Sequence, residues 1–336
     1  MLENQLSRYG AISRVVPDLA PGAKLFLVSD SDDPTVGPAN LGNEYPVDKD
    51  GVVRVYTTIQ AAVNAASAGR GDVVGVLPGY DHTLGRADSW ATAGVRVVGF
   101  GNGSNRPIVR YTTATDEVGV GANNIEIRNI RFLAAVDSCA RALDLDSGFS
   151  GAAIRNCIFD FAATGNDFRV MLRNSQARSV IEDNEFRAED TAGAGKGVSF
   201  NGGYADFTVV RNNRFFGQFD TVGDTSNAAG AITVDIAHDS GDTVLNGVLI
   251  ENNTIISTDT AAALLINLGN GATSSRGSAM IRNNLVSYDT ATADTAQIST
   301  GATHYFGALD NKFKSTDSDV RESVVSTVVS RIFDSG

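Results

Sequence analysis

Ile181-Glu-Asp183-Asn-Glu-Phe186 is one of seven matching phrases in this chain, each reading apolar, any, Asn or Asp, any, any, apolar. The others are Ile127-Arg-Asn129-Ile-Arg-Phe132, Ile154-Arg-Asn156-Cys-Ile-Phe159, Val210-Arg-Asn212-Asn-Arg-Phe215, Ile250-Glu-Asn252-Asn-Thr-Ile255, Ile281-Arg-Asn283-Asn-Leu-Val286 and Ala308-Leu-Asp310-Asn-Lys-Phe313. Their starts are separated by 27, 27, 29, 40, 31 and 27 residues. Units of this length that are strand-like and not helical imply a solenoid in which each unit is one coil. The fold expected is therefore all-β, a right-handed single-stranded parallel β-helix.

Stacked coils repeat at about 4.8 Å, so equivalent residues form columns. The sixth position predicts an interior stack of Phe132, Phe159, Phe186, Phe215, Ile255, Val286 and Phe313. The third predicts a corner column of Asn129, Asn156, Asp183, Asn212, Asn252, Asn283 and Asp310. Asn tolerates the left-handed backbone of a tight bend, and its amide is expected to bond to the neighbouring Asn above and below. The 40-residue interval marks a loop bulging from the stack between Asp220 and Gly247.

Outside the repeat, three regions are expected: an N-terminal arm and loop region over 1–50, the β-helix over 51–315, and a C-terminal helix over 316–336. Pro17 and Pro21 keep residues 1–22 extended, Lys24–Val28 reads as a strand, and the polar stretch 29–50 reads as loop. Thr57 or Thr58 caps a short helix carrying Ile59 and Val63, followed by the buried strand of Asp72-Val-Val-Gly-Val and a Pro78-Gly79 turn. Val320, Val324, Val325, Val328, Val329, Ile332 and Phe333 form a helical stripe, which either caps the last coil or packs against other copies of the chain.

The chain carries 39 acidic against 27 basic residues, a formal charge of −12, which disfavours nucleic acid as a partner. No apolar run is long enough to span a membrane, and the opening, Met1 to Val16, lacks the pattern of a secretion signal. Cys139 and Cys157 fall at different phases of the repeat, so no disulfide is expected between them, in keeping with folding in a reducing cytoplasm.

Two groups are candidates for chemistry. Leu143-Asp144-Leu145-Asp146 alternates so that both carboxylates leave one strand on its outer side, with Cα atoms about 6.5–7 Å apart, a separation compatible with acid and base pairs of glycoside hydrolysis. Asp235, His238, Asp239 and Asp242 bring an imidazole and three carboxylates onto the bulging loop. The plain reading of both is solvated surface, and the catalytic assignment expected is none. His82 and His304 lack ligand-spaced partners, and Asp30, Asp32, Asp33, Asp48 and Asp50 do not match a calcium loop, so no metal and no cofactor are expected.

Thr57-Thr-Ile-Gln-Ala-Ala-Val63, Gly71-Asp-Val-Val, Leu77-Pro-Gly-Tyr80 and Gly94-Val-Arg-Val-Val-Gly-Phe-Gly101 together resemble the first coils of the pectate-lyase-like superfamily of parallel β-helix proteins. The likeness covers roughly residues 55–315 and implies that the short helix plugs the N-terminal end of the stack. It identifies the fold far better than the activity. Polygalacturonase-like strings (Asn-Thr-Asp, Asp-Asp, Gly-His-Gly, Arg-Ile-Lys) are not found, and no repeat offers a clear pectate-lyase-like set of Asp ligands with an Arg base.

The opening, Ser7-Arg-Tyr-Gly-Ala-Ile through Pro17-Asp-Leu-Ala-Pro-Gly-Ala-Lys-Leu-Phe-Leu-Val, is similar to that of structural proteins of tailed-bacteriophage virions that decorate or cement the head shell. That resemblance implies a non-enzymatic virion protein, made in the host cytoplasm and placed on the capsid surface. The arm would grip the major capsid protein, the β-helix would project as a knob, and the natural assembly would be a homotrimer. The alternative is a tailspike-like receptor-binding protein that binds or cleaves host polysaccharide, with Asp144, Asp146, Asp235, His238 and Asp239 as its candidate residues. A bacterial surface adhesin is a third option, disfavoured by the opening sequence.

Overall fold

The computed structural model describes residues 21–29, 54–84, 88–188, 195–201, 204–219, 230–235, 245–258, 265–268, 277–288, 298–299 and 305–315. These residues form a parallel β-helix of three sheets with eleven, nine and eight strands. Every pairing is parallel and joins a strand to its equivalent one coil away, as the repeat predicts. The arm before residue 21, the loop residues 220–229 and 236–244, and the C-terminal segment 316–336 lie outside the described residues.

The first apolar position of each phrase faces inward from the first sheet, where Ile127, Ile154, Ile181, Val210, Ile250 and Ile281 are fully buried and in register. The sixth builds the expected aromatic column on the second sheet. Ring centroids lie 5.1 Å apart for Phe132–Phe159, 4.7 Å for Phe159–Phe186 and 4.6 Å for Phe186–Phe215, the last two pairs within 5° of parallel. Stacking follows the coil spacing directly, because identical side chains in identical rotamers repeat at the strand separation.

The third-position residues turn the corner between these sheets with φ between 49° and 59° at all seven sites. Their amides do not form the long hydrogen-bonded column, however. One bond joins Asn156 to Asn129 (3.2 Å), and the residues from Asn156 onward are exposed. The continuous ladder belongs to the next position, where Asn184, Asn213, Asn253, Asn284 and Asn311 are buried. The Oδ1 of each accepts the backbone N–H of the equivalent residue one coil earlier, starting with Cys157, and each Nδ2 donates to a main-chain carbonyl of the preceding coil. A left-handed residue exposes its side chain and turns the following one inward, so the corner places the αL residue outside and the bonded amide inside.

At the N-terminal end, helix α1 (Ile59–Ala65) starts from Thr58, whose Oγ1 accepts the Ala61 N–H at 3.2 Å. Ile59, Ala62 and Val63 join the main core and close the first coil. Strand Leu25–Val28 pairs with both Val55–Tyr56 and Val73–Val76. It is part of the first sheet, so a body beginning at residue 51 leaves out one of its own strands. Val73-Val-Gly-Val76 is buried on both sides because Leu27, Val73, Leu77, Val98 and Phe100 form a second apolar cluster on the outside of this sheet.

Candidate functional site

The third sheet carries the acidic strand singled out above. In Cys139–Leu145, Leu143 and Leu145 point into the core and Asp144 leaves on the other side. Asp144 is nonetheless almost fully buried, since Arg173, one coil on and directly in register, meets it with two bonds (Nε–Oδ1 2.7 Å, Nη2–Oδ2 2.5 Å). Arg141 adds a 3.3 Å contact to Asp144 and bridges to Glu117 at 2.8 Å. A carboxylate in this bidentate geometry has its lone pairs occupied by its arginine partners.

Asp146 lies one residue past the strand, its backbone N–H bonded to the Val120 carbonyl at 3.1 Å. Its side chain is half-buried above Gly119 and Gly121 beside the Phe149 ring; a Cβ at Gly121 would meet both. Burial, and next the charge of Asp144, push its carboxyl above the usual carboxylate range. The two aspartates, two residues apart, thus differ chemically: one is neutralised by arginines and the other is biased toward its protonated form.

Along the outward column of this sheet, Asp144 and Arg173 are followed in register by Ser199 and Thr233. Both are fully buried, and neither hydroxyl has a hydrogen-bond partner among the described residues. Asp235 ends strand Gly230–Asp235 in register with Asn201, while His238, Asp239 and Asp242 lie outside the described residues. His82 stands on the second sheet in register with Val109, its ring 5.7 Å from that of Tyr80; His304 and the acidic run 30–50 are outside the described residues. No three His, Cys, Asp or Glu side chains gather as a metal site among the described residues.

A second carboxylate group was not singled out from the sequence. At the turn into the third sheet, Asp167 is buried and accepts the backbone N–H of Ser138, whose φ is 55° and whose hydroxyl bonds Asp137 at 2.9 Å. Burial pushes the Asp167 carboxyl up to about 6, with the neighbouring Asp137 adding to the rise. The signal was the 29-residue offset between Ser138 and Asp167, close to one coil, which aligns them only once the register is known. Cys139 and Cys157 are free and buried, and burial pushes their thiols up to about 12 and about 11. Trp90 is fully buried, whereas Tyr204, Phe207 and Phe216 are about half exposed.

Comparison with known proteins assigns no family and no role. No protein-family model matches the chain, and no curated protein matches its sequence. Among solved structures, PfbA, a surface adhesin of Streptococcus pneumoniae, is similar over 74% of this chain and 78% of its own, at 11% identity and a TM-score of 0.47. The pectin methylesterase of Aspergillus niger is similar over 94% and 93%, at 16% identity and a TM-score of 0.43. At these values neither protein's role transfers to this chain.

Proposed function

We propose that this chain is a structural virion protein of a tailed phage, attached to the major capsid protein through its N-terminal arm and projecting its β-helix as a rigid knob, with a homotrimer as the assembly. The observation that carries this reading is the set of axial ladders: the buried Asn184–Asn311 column, the stacked phenylalanines, and charge ladders such as Glu126–Arg155–Glu182–Arg211, joined by contacts of 3.4, 2.6 and 2.5 Å. Each fastens one coil to the next, which suits a mechanical body. Asp144, the most reactive-looking residue of the sequence, is drawn into the same bonding by Arg173. The phage assignment itself comes from the resemblance of the opening segment.

Binding of the purified protein to phage heads lacking it tests this reading. Saturable binding that is lost on deleting residues 1–22, with the body still folded, supports it. Undiminished binding by the deletion variant would refute the arm's role.

A second reading, a tailspike-like protein acting on host polysaccharide, draws on Asp146, a half-buried carboxyl biased toward protonation two residues from the arginine-paired Asp144, the kind of group that serves as a general acid. Digestion of a host polysaccharide that stops with Asp146→Asn would favour it.

A further inference from the structure

The outer face of the second sheet changes character along its length. Over its first coils the outward residues include charges that pair with one another, set among Ile108, Leu133 and Ile158: Arg110 with Asp81 (2.7 Å), Arg131 with Asp160 (2.6 Å), and Arg187 with both Asp160 (3.3 Å) and Glu185 (3.0 Å). The lattice then stops. The next three coils present Phe216, Ile256 in register with it, and Leu285. Phe216 is 47% exposed, Leu285 41%, and Ile256 is half-buried. Arg214 and Lys312 bracket this patch, both exposed and without an ion-pair partner among the described residues. An apolar patch rimmed by uncompensated cations fits an apolar segment that brings its own acids.

We propose that the occupant is this chain's own C-terminal segment, 316–336, laid as a helix along the second sheet with its valine stripe over Phe216, Ile256 and Leu285. The described residues end at Ser315, the end of the last strand of that same sheet (Lys312–Ser315), one coil from Leu285. The segment opens with Asp317, Asp319 and Glu322, which in this placement fall beside Lys312. From Val320 to Phe333 is 13 residue steps, about 20 Å of helix at about 1.5 Å each. Four coil spacings of about 4.8 Å give the same length, which runs from the level of Lys312 back to that of Glu185, where the paired charges resume. This inference is independent of the virion reading.

Cross-linking in the full chain tests it. Phe216→Cys combined with Val325→Cys, and separately Leu285→Cys with Val325→Cys, place thiols on the patch and the stripe; Arg131→Cys with Val325→Cys is the control on the paired-charge region. Cys139 and Cys157 are buried with raised thiol pKa values, so the engineered thiols react first under mild oxidation. An intrachain disulfide in at least one patch pair and none in the control is the expected result. Disulfides between chains would overturn the proposal in favour of self-association. No disulfide in either patch pair would overturn it in favour of the segment lying elsewhere, over the last coil included.

Discussion

Asn253 and Asn213 are 40 residues apart in sequence and adjacent in space: the Asn253 Oδ1 accepts both the backbone N–H of Asn213, at 3.0 Å, and its Nδ2, at 3.1 Å. The longest interval in the repeat therefore passes without interrupting the buried amide ladder. Asn213→Ala removes bonds to Asn184, to Asn253 and to the Ile181 carbonyl inside a buried corner. The expected cost is about 2–4 kcal/mol, since buried groups left unpaired lose more than a typical bond is worth. Urea unfolding reads it, and an unchanged midpoint would show that the ladder contributes nothing.

The neighbouring Asn212, at φ 56°, gives the complementary test. Asn212→Val forces a β-branched residue into the left-handed region and is expected to cost about 1–2 kcal/mol, whereas Asn212→Gly is expected to be close to neutral. Equal effects from the two would mean that this position is held by its side chain instead of its backbone.

Phe186 sits between Phe159 and Phe215 with nearly parallel rings on both sides. Phe186→Ala opens a cavity mid-stack and should cost about 3–5 kcal/mol, and Phe186→Leu clearly less. Thermal or urea unfolding of the two variants checks the order.

Asp144→Ala leaves Arg173 and Arg141 facing a buried gap. The expected loss is about 3 kcal/mol, with Arg173→Ala in the same range and the double variant losing much less than the sum. Additive losses would show that the pair is not coupled. Under the polysaccharide reading, Asp144→Ala would also abolish turnover at temperatures where the variant remains folded.

Asp167 sets a pH dependence. Its folded pKa, about 6, lies above the ordinary 3.8, so the folded state holds this proton more tightly than the unfolded chain. Its contribution is fully present below about pH 4 and is lost as pH rises through about 6. Asp167→Asn should therefore flatten this part of the stability profile and stabilise the protein at pH 7 by about 1–3 kcal/mol. A variant whose stability between pH 4 and 7 parallels that of the parent would refute the assignment.

The hexapeptide at Ile181–Phe186 and its six relatives determined the coil, the aromatic column and the left-handed corner, because these follow from local backbone preference and from spacing, both written in the chain. The helix start was legible for the same reason to within one residue, at Thr57 or Thr58, and the structure places the cap at Thr58. What only the tertiary structure decided is which of two adjacent Asn positions faces inward, that Asp144 meets Arg173, and that Ser138 meets Asp167. Each depends on side chains about one coil apart, where a shift of a single residue in register exchanges inner and outer faces. Leu25–Val28 joined the first sheet for a related reason: pairing across a gap of more than twenty residues is settled by burial against Val73–Val76, which no local pattern encodes.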